Sequence, residues 1–225
     1  KFDEIAAVTF THKAARELET KVRKKIEQSG FTNESHGSLD DAYIGTIHGY
    51  CSMLRQKHAI RFDPIVDPTF MLLDEDEAAD ELGSIISKVI IRSLDAEDPA
   101  TEKLKSLCNG LHQTPNKRGL IQLVRAMMDQ IRWQPDTANK VRTPDRTKDW
   151  TTPLDDNAQE LTSKLLELAE KALQEWASHR DERNVLDFDD LILKTQSALE
   201  GDRGAAVLAS IRKDLKLLIV DEFQD

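Results

Sequence analysis

The sequence predicts an α/β protein that is predominantly helical, with a core of few strands and a large all-helical insertion. Three observations predict it. Short apolar runs with β-branched residues stand at 4–10 (EIAAVTF), 43–47 (YIGTI) and 216–220 (KLLIV), near the two ends of the chain. The stretch between the second and third runs repeats its apolar residues at helical spacing. The order is strand–helix–strand–helix, then helices, then helix–helix–strand, which suggests a strand-bearing core interrupted by helices. We divide the chain into 1–64, a helical insertion at 65–182, and a return to the core at 183–225.

Each element has a local reason. Residues 4–10 read as a buried strand. Thr11 is a good N-cap for the segment that follows, where Ala14, Leu18, Val22 and Ile26 recur on one face. Gly30 stands where a C-cap belongs, and 31–41 is polar loop. After the strand at 43–47, a helix runs from about His48 to Ala59, with Cys51, Leu54 and His58 on one face. Pro64 and Pro68 mark 61–73 as a connection. Helices are then expected at roughly 75–93, 100–109, 117–132 and 157–180. The last carries the stripe Leu161, Leu165, Leu168, Ala172 and Trp176, with Asp155 or Asp156 as its cap. Three prolines and many polar residues make 134–156 a long mobile loop. Asp187 caps a helix from Phe188, 202–213 form a short helix, and 216–220 a buried strand.

Composition excludes several classes. The 225 residues are 39% hydrophobic and 32% charged, with 9 Gly and 7 Pro, so the chain is neither collagen-like nor low-complexity. The longest apolar run is Leu217–Val220, against the roughly 20 residues of a membrane helix. No secretory leader opens the sequence. Cys51 and Cys108 cannot build a disulfide framework or a four-cysteine zinc site, and the six histidines show no ligand spacing. A cytoplasmic protein without membrane or zinc is the expectation. Lys1 in place of Met, and a last strand that runs into an acidic cluster, read as a piece of a longer chain.

The net charge of −10 argues against indiscriminate nucleic-acid binding, but its distribution is uneven. Residues 74–81 (DEDEAADE) hold six acids and no base, which reads first as a solvated face. Residues 117–148 hold eight Lys/Arg against three Asp, together with Trp133, and form a candidate nucleic-acid surface.

The sharpest chemistry lies at the end. An apolar run delivers Asp221 and Glu222 to the carboxyl end of a strand, where ligands bind in open parallel sheets. One carboxylate there can hold Mg²⁺ and a second can take a proton from an attacking water. Two acids can also simply end a strand in solvent; the full string Val-Asp-Glu-Phe-Gln-Asp is much rarer. Asp187, Asp189 and Asp190 read as a cap and an acidic first turn rather than a metal site.

The string VDEFQD resembles the Walker B motif, DExQD, of UvrD/Rep-type superfamily 1 DNA helicases. AAVTFTHKAARELETKV is similar to that family's motif Ia, usually TFTNKAA, with His12 where Asn is usual. IGTIHGYCSMLR resembles GTFHSFC followed by Leu-Arg, with Ile47 for Phe and Gly49-Tyr50 for Ser and an apolar or aromatic residue. LDFDDLI at 186–192 is similar to the segment that precedes Walker B. The four motifs stand in the family's order across the chain. The middle matches only in length and helicity, where the family inserts subdomain 1B.

The resemblance implies a partial RecA-like P-loop NTPase core (subdomain 1A) interrupted by 1B. It implies that Asp221 holds the Mg²⁺ of MgATP, Glu222 orients and deprotonates the hydrolytic water, and Gln224 senses the γ-phosphate. Asp225 completes the motif. Thr9, Phe10, Thr11, His12 and Lys13 would line a single-strand path, with Thr46 and His48 on the same strand. The insertion would touch forked DNA, with Lys117, Arg118, Arg125 and Arg132 as candidate contacts. The implied activity is ATP-dependent 3′→5′ translocation and unwinding in repair or recombination. None of the nine glycines begins a G-x-x-x-x-G-K-[ST] loop, so the isolated chain is expected to lack ATPase. In the family that loop precedes motif Ia. Two alternatives stay open: a helical protein-interaction module with idle motifs, and a component of a recombination helicase–nuclease.

Overall fold

The computed structural model describes residues 1–29, 37–62, 67–108, 119–136, 138–139 and 156–221. Strands are β1 (Ile5–Thr9), β2 (Tyr43–Thr46), β3 (Met71–Leu72), β4 (Val185–Leu186) and β5 (Leu217–Val220). Helices are α1 (His12–Ser29), α2 (Ile47–Lys57), α3 (Glu75–Asp95), α4 (Pro99–Leu107), α5 (Leu120–Trp133), α6 (Asp156–Arg183), α7 (Phe188–Glu200) and α8 (Gly204–Asp214). The chain divides into two compact units, Lys1–Leu72 with Leu186–Asp225, and Leu73–Val185.

The first unit is built on a three-stranded parallel sheet of order β2–β1–β5. Its central strand reads Ile-Ala-Ala-Val-Thr, and Ala6, Ala7 and Val8 are at most 5% exposed. A near-continuous apolar run is what a strand covered on both faces requires. α1 is the crossover from β1 to β2 that a parallel pair needs. The face expected to be buried, Ala14, Leu18, Val22 and Ile26, is half-buried, and Ala15 is the buried residue. β5 corrects the expectation of a buried strand. Its four residues are 43–49% exposed, because among the described residues it has a strand, β1, on one side only.

Two small cores lie among the described residues of this unit. Phe62, Ala198 and Val207 pack together with Leu199 and Ile211, and Phe70, Leu186 and Leu191 pack with Cys51. The turn between α7 and α8 needs a glycine. A Cβ on Gly204 would stand 1.9 Å from the Leu199 carbonyl oxygen. The strand β3 lies in the stretch read as a plain connection.

The second unit has one core of leucine, isoleucine and valine with Met128 and Trp176. The stripe Leu161, Leu165, Leu168, Ala172 and Trp176 on α6 is buried to 8% exposure or less. Asp98 caps α4 by accepting the Thr101 N–H at 2.9 Å, and Lys164 of α6 meets the same carboxylate at 2.7 Å. The ammonium and the cap both hold the Asp98 carboxyl below its ordinary value. Burial pulls the Lys164 ammonium down, but Asp98 and Glu167 outweigh it and raise it.

Much of the acidic run 74–81 has structural work. Asp74 caps α3 by accepting the Asp76 N–H at 3.0 Å, and Glu75, Asp76 and Glu77 fill the first turn, where the helix dipole favours anions. Glu81 pairs with His179 at 3.1 Å and with Arg183. Asp156 is the first residue of α6. The Gly30 cap, the Asp155 cap, and residues 140–155 of the expected mobile loop lie outside the described residues.

Candidate functional site

All three strands of the larger sheet are parallel, so their carboxyl ends share one edge. Thr9 pairs with Thr46, and Val8 pairs with Val220. The Asp221 N–H donates to the Val8 carbonyl at 2.9 Å, which carries the ladder one residue further. Thr46, Thr9 and Asp221 therefore stand side by side at the carboxyl edge, where crevices for ligands form in open parallel sheets.

The β1–α1 turn is shaped by its own hydroxyls. Thr9 is 2% exposed, and its Oγ1 donates to the Thr11 carbonyl at 2.9 Å. Thr11 Oγ1 accepts the Ala14 N–H at 3.1 Å, as expected of an N-cap. The first turn of α1 holds no acid of its own to offset the positive end of its dipole. Phe10 is 53% exposed, and Thr11, His12 and Lys13 are exposed beside it. The turn thus offers solvent one aromatic ring, two polar side chains and a cation, while Thr9 is used inward.

The β2–α2 junction is built the same way. Thr46 is buried, and its Oγ1 accepts the Gly49 N–H at 3.1 Å, capping α2. The Tyr43 hydroxyl donates to the Thr46 carbonyl at 3.0 Å. A Cβ on Gly49 would stand 2.6 Å from that hydroxyl, which is why glycine is favoured there. Burial pushes the Tyr43 phenol up to about 12, with Cys51 and Tyr50 adding to it. His48 is half-buried, its ring edge-on to Phe188 at 5.3 Å between centroids.

Beneath this junction lies a buried charge that periodicity did not reveal. Arg55 is 5% exposed, with its guanidinium 5.7 Å from the Phe62 ring centroid. Burial lowers its proton affinity, and the opposite charge of Asp190, 4% exposed, acts against that. Asp190 sits in the first turn of α7, whose cap Asp187 accepts the Asp190 N–H at 2.8 Å. Burial raises the Cys51 thiol more than the Thr195 hydroxyl and Arg55 lower it, so it is no ready nucleophile. Among the described residues, no three His, Cys, Asp or Glu side chains converge as a metal site.

The remaining candidates divide as follows. Asp221 is exposed at the carboxyl edge. Arg125 is exposed and Arg132 half-buried, both on α5 of the second unit. Lys117, Arg118, Glu222, Gln224 and Asp225 lie outside the described residues.

A model of the UvrD/REP helicase N-terminal domain family matches residues 1–225. The chain belongs to this family. Among curated relatives of this UvrD/REP domain, an ATP-dependent helicase/nuclease subunit of Staphylococcus saprophyticus subsp. saprophyticus is 32% identical over 115 residues, 46% of this chain and 9% of the relative. The protein of the same name from Staphylococcus aureus strain JH9 is 32% identical over 116 residues, with the same shares. The UvrD/REP chain thus spans about a tenth of the length of these relatives, 9% in each case. No helix among its described residues is long and apolar enough to cross a membrane.

Proposed function

We propose that this chain is part of the first motor domain of an ATP-dependent 3′→5′ DNA helicase that moves along single-stranded DNA. The observation that carries the reading is the shared edge. One backbone register places Asp221, the first acid of the VDEFQD string, beside the turn that exposes Phe10, His12 and Lys13. A motor needs a nucleotide-sensing carboxylate mechanically joined to a nucleic-acid contact, and here a single hydrogen-bonded strand pair joins them.

The chemistry of the edge fits MgATP. Asp221 is an exposed oxygen donor at the end of a strand, suited to a hard cation. When bound, MgATP supplies the phosphoryl-transfer free energy, and its metal neutralises charge on the phosphates. Glu222 orients the attacking water and accepts its proton, and Gln224 and Asp225 complete the string. On the DNA side, Phe10 stacks on a base, and the open end of α1 with Lys13 holds phosphate. Thr9 and Thr46 set the two turns. Lys117, Arg118, Arg125 and Arg132 of the second unit supply phosphate contacts to forked DNA. The relatives' name, with its pairing of helicase and nuclease, supports placement in a helicase–nuclease assembly.

The test uses the full-length protein. Glu222→Gln is expected to lower DNA-stimulated ATP turnover at least 100-fold while single-strand affinity persists. Phe10→Ala is expected to weaken single-strand binding by the roughly 1–3 kcal/mol of one base–aromatic stack. Full turnover in Glu222→Gln would refute the motor reading. Unchanged DNA affinity in Phe10→Ala would refute the assignment of the turn.

A further inference from the structure

The DNA-facing turn leads directly into α1, whose charge is unlike that of the chain as a whole. Residues 12–29 hold six Lys/Arg against three Glu, in a protein of net charge −10. One of the six, Arg23, is neutralised by Glu19 at 3.0 Å and Asp40 at 2.6 Å. Lys13, Arg16, Lys21 and Lys24 are exposed and have no ion-pair partner among the described residues.

Helix geometry turns these four into a stripe. At 3.6 residues and 5.4 Å per turn, Lys13 and Lys24 lie within about 20° of each other and about 16 Å apart along the axis. Arg16 stands about 60° to one side and Lys21 about 80° to the other, within reach of long side chains. Glu17 and Glu27 are the acids on the same face, each about 40° from Lys13. The opposite face carries Ala15, Leu18, Val22 and Ile26 against the sheet, so the stripe looks away from it. An unpaired cation row of this kind costs self-repulsion, which a polyanion relieves.

We propose that the outer face of α1 is a second segment of the single-strand track, with Lys13, Arg16, Lys21 and Lys24 as phosphate ligands. The strand leaves the Phe10 turn and follows the helix toward Ser29. At the 3.4 Å step of a stacked strand, the stripe spans about five phosphates. It carries no aromatic residue, so this segment reads charge and not sequence. The inference rests on the DNA-motor reading above.

The experiment measures the affinity of the full-length protein for a fluorescent single-stranded oligonucleotide across a salt series, and for a duplex of equal length. For Arg16→Ala/Lys24→Ala, the slope of log affinity against log salt should shrink by about 1.4, two phosphate contacts at about 0.7 each. Lys171→Ala, an exposed cation paired with Glu167 in the second unit, should leave the slope unchanged. An unchanged slope in the double variant, with DNA still bound, overturns the α1 track and leaves the motor reading standing. A slope change confined to the duplex overturns the single-strand assignment, as does an equal change in Lys171→Ala. No DNA binding by the unmodified protein at low salt overturns both readings.

Discussion

Removing Arg55 should loosen the junction that carries Thr46 and His48. The guanidinium is 5% exposed and its charge partner Asp190 is 4% exposed, so neither ion is screened by bulk water. Arg55→Met removes a positive charge that acts on the buried Asp190 carboxylate. Lys194 stands 3.8 Å away with a side chain 37% exposed, and compensates little. Breaking a buried pair by removing one partner costs about 3–5 kcal/mol. At about 1.4 kcal/mol per decade, the lower figure accelerates local opening about 150-fold. Native-state amide exchange of α2 and α7 reads that opening directly. The Lys57–Asp214 contact is a fitting control, 2.9 Å long but with both side chains about half exposed. Lys57→Ala should change exchange less than about fivefold, since exposed pairs contribute at most about 1 kcal/mol. Adding Asp190→Asn to Arg55→Met should recover at least half of the loss. Acceleration under fivefold in Arg55→Met, or no recovery in the double variant, would refute the buried-pair argument.

Two further outcomes follow from the same unit. Burial first, then Lys57 and Arg61, depress the His58 imidazole below its ordinary 6.5, against the pull of Asp214. The unfolded chain therefore binds the proton more readily, and the stability His58 contributes is present above pH 6.5 and lost as pH falls through the depressed value. Urea midpoints at pH 7.5 and 5.5 should show this loss, and His58→Gln should reduce it; an equal loss in the variant removes His58 as its source. Gly49→Ala should cost about 1–3 kcal/mol by forcing a methyl against the Tyr43 hydroxyl. In the Tyr43→Phe background the same substitution should cost clearly less, and an equal cost in both would show that the hydroxyl is not the obstacle.

Much of this protein is local and was legible as such. Thr11 and Asp187 read as caps because a short side-chain oxygen before an amphipathic segment meets the open N–H groups of a first turn. The stripe from Leu161 to Trp176 is legible because a 3.6-residue period marks one face of a helix. The family is legible in the residues themselves, through four short strings in a fixed order along the chain. What periodicity cannot report is what covers a face. KLLIV reads as a buried strand, yet among the described residues β5 is an edge strand, because strand order places β1 between β2 and β5. Thr9 and Thr46 carry the hydroxyls expected of a DNA path, yet the fold turns both inward to set their turns. Asp190 acts on Arg55 by its charge, and His48 meets Phe188, across more than 130 residues of sequence, and no local signal marks either pair. Lys13, Arg16, Lys21, Lys24 and Lys25 of α1 are as visible in the string as Arg23. Only the tertiary structure, by bringing Asp40 to Arg23 and nothing to the others among the described residues, decided which charges remain for a partner.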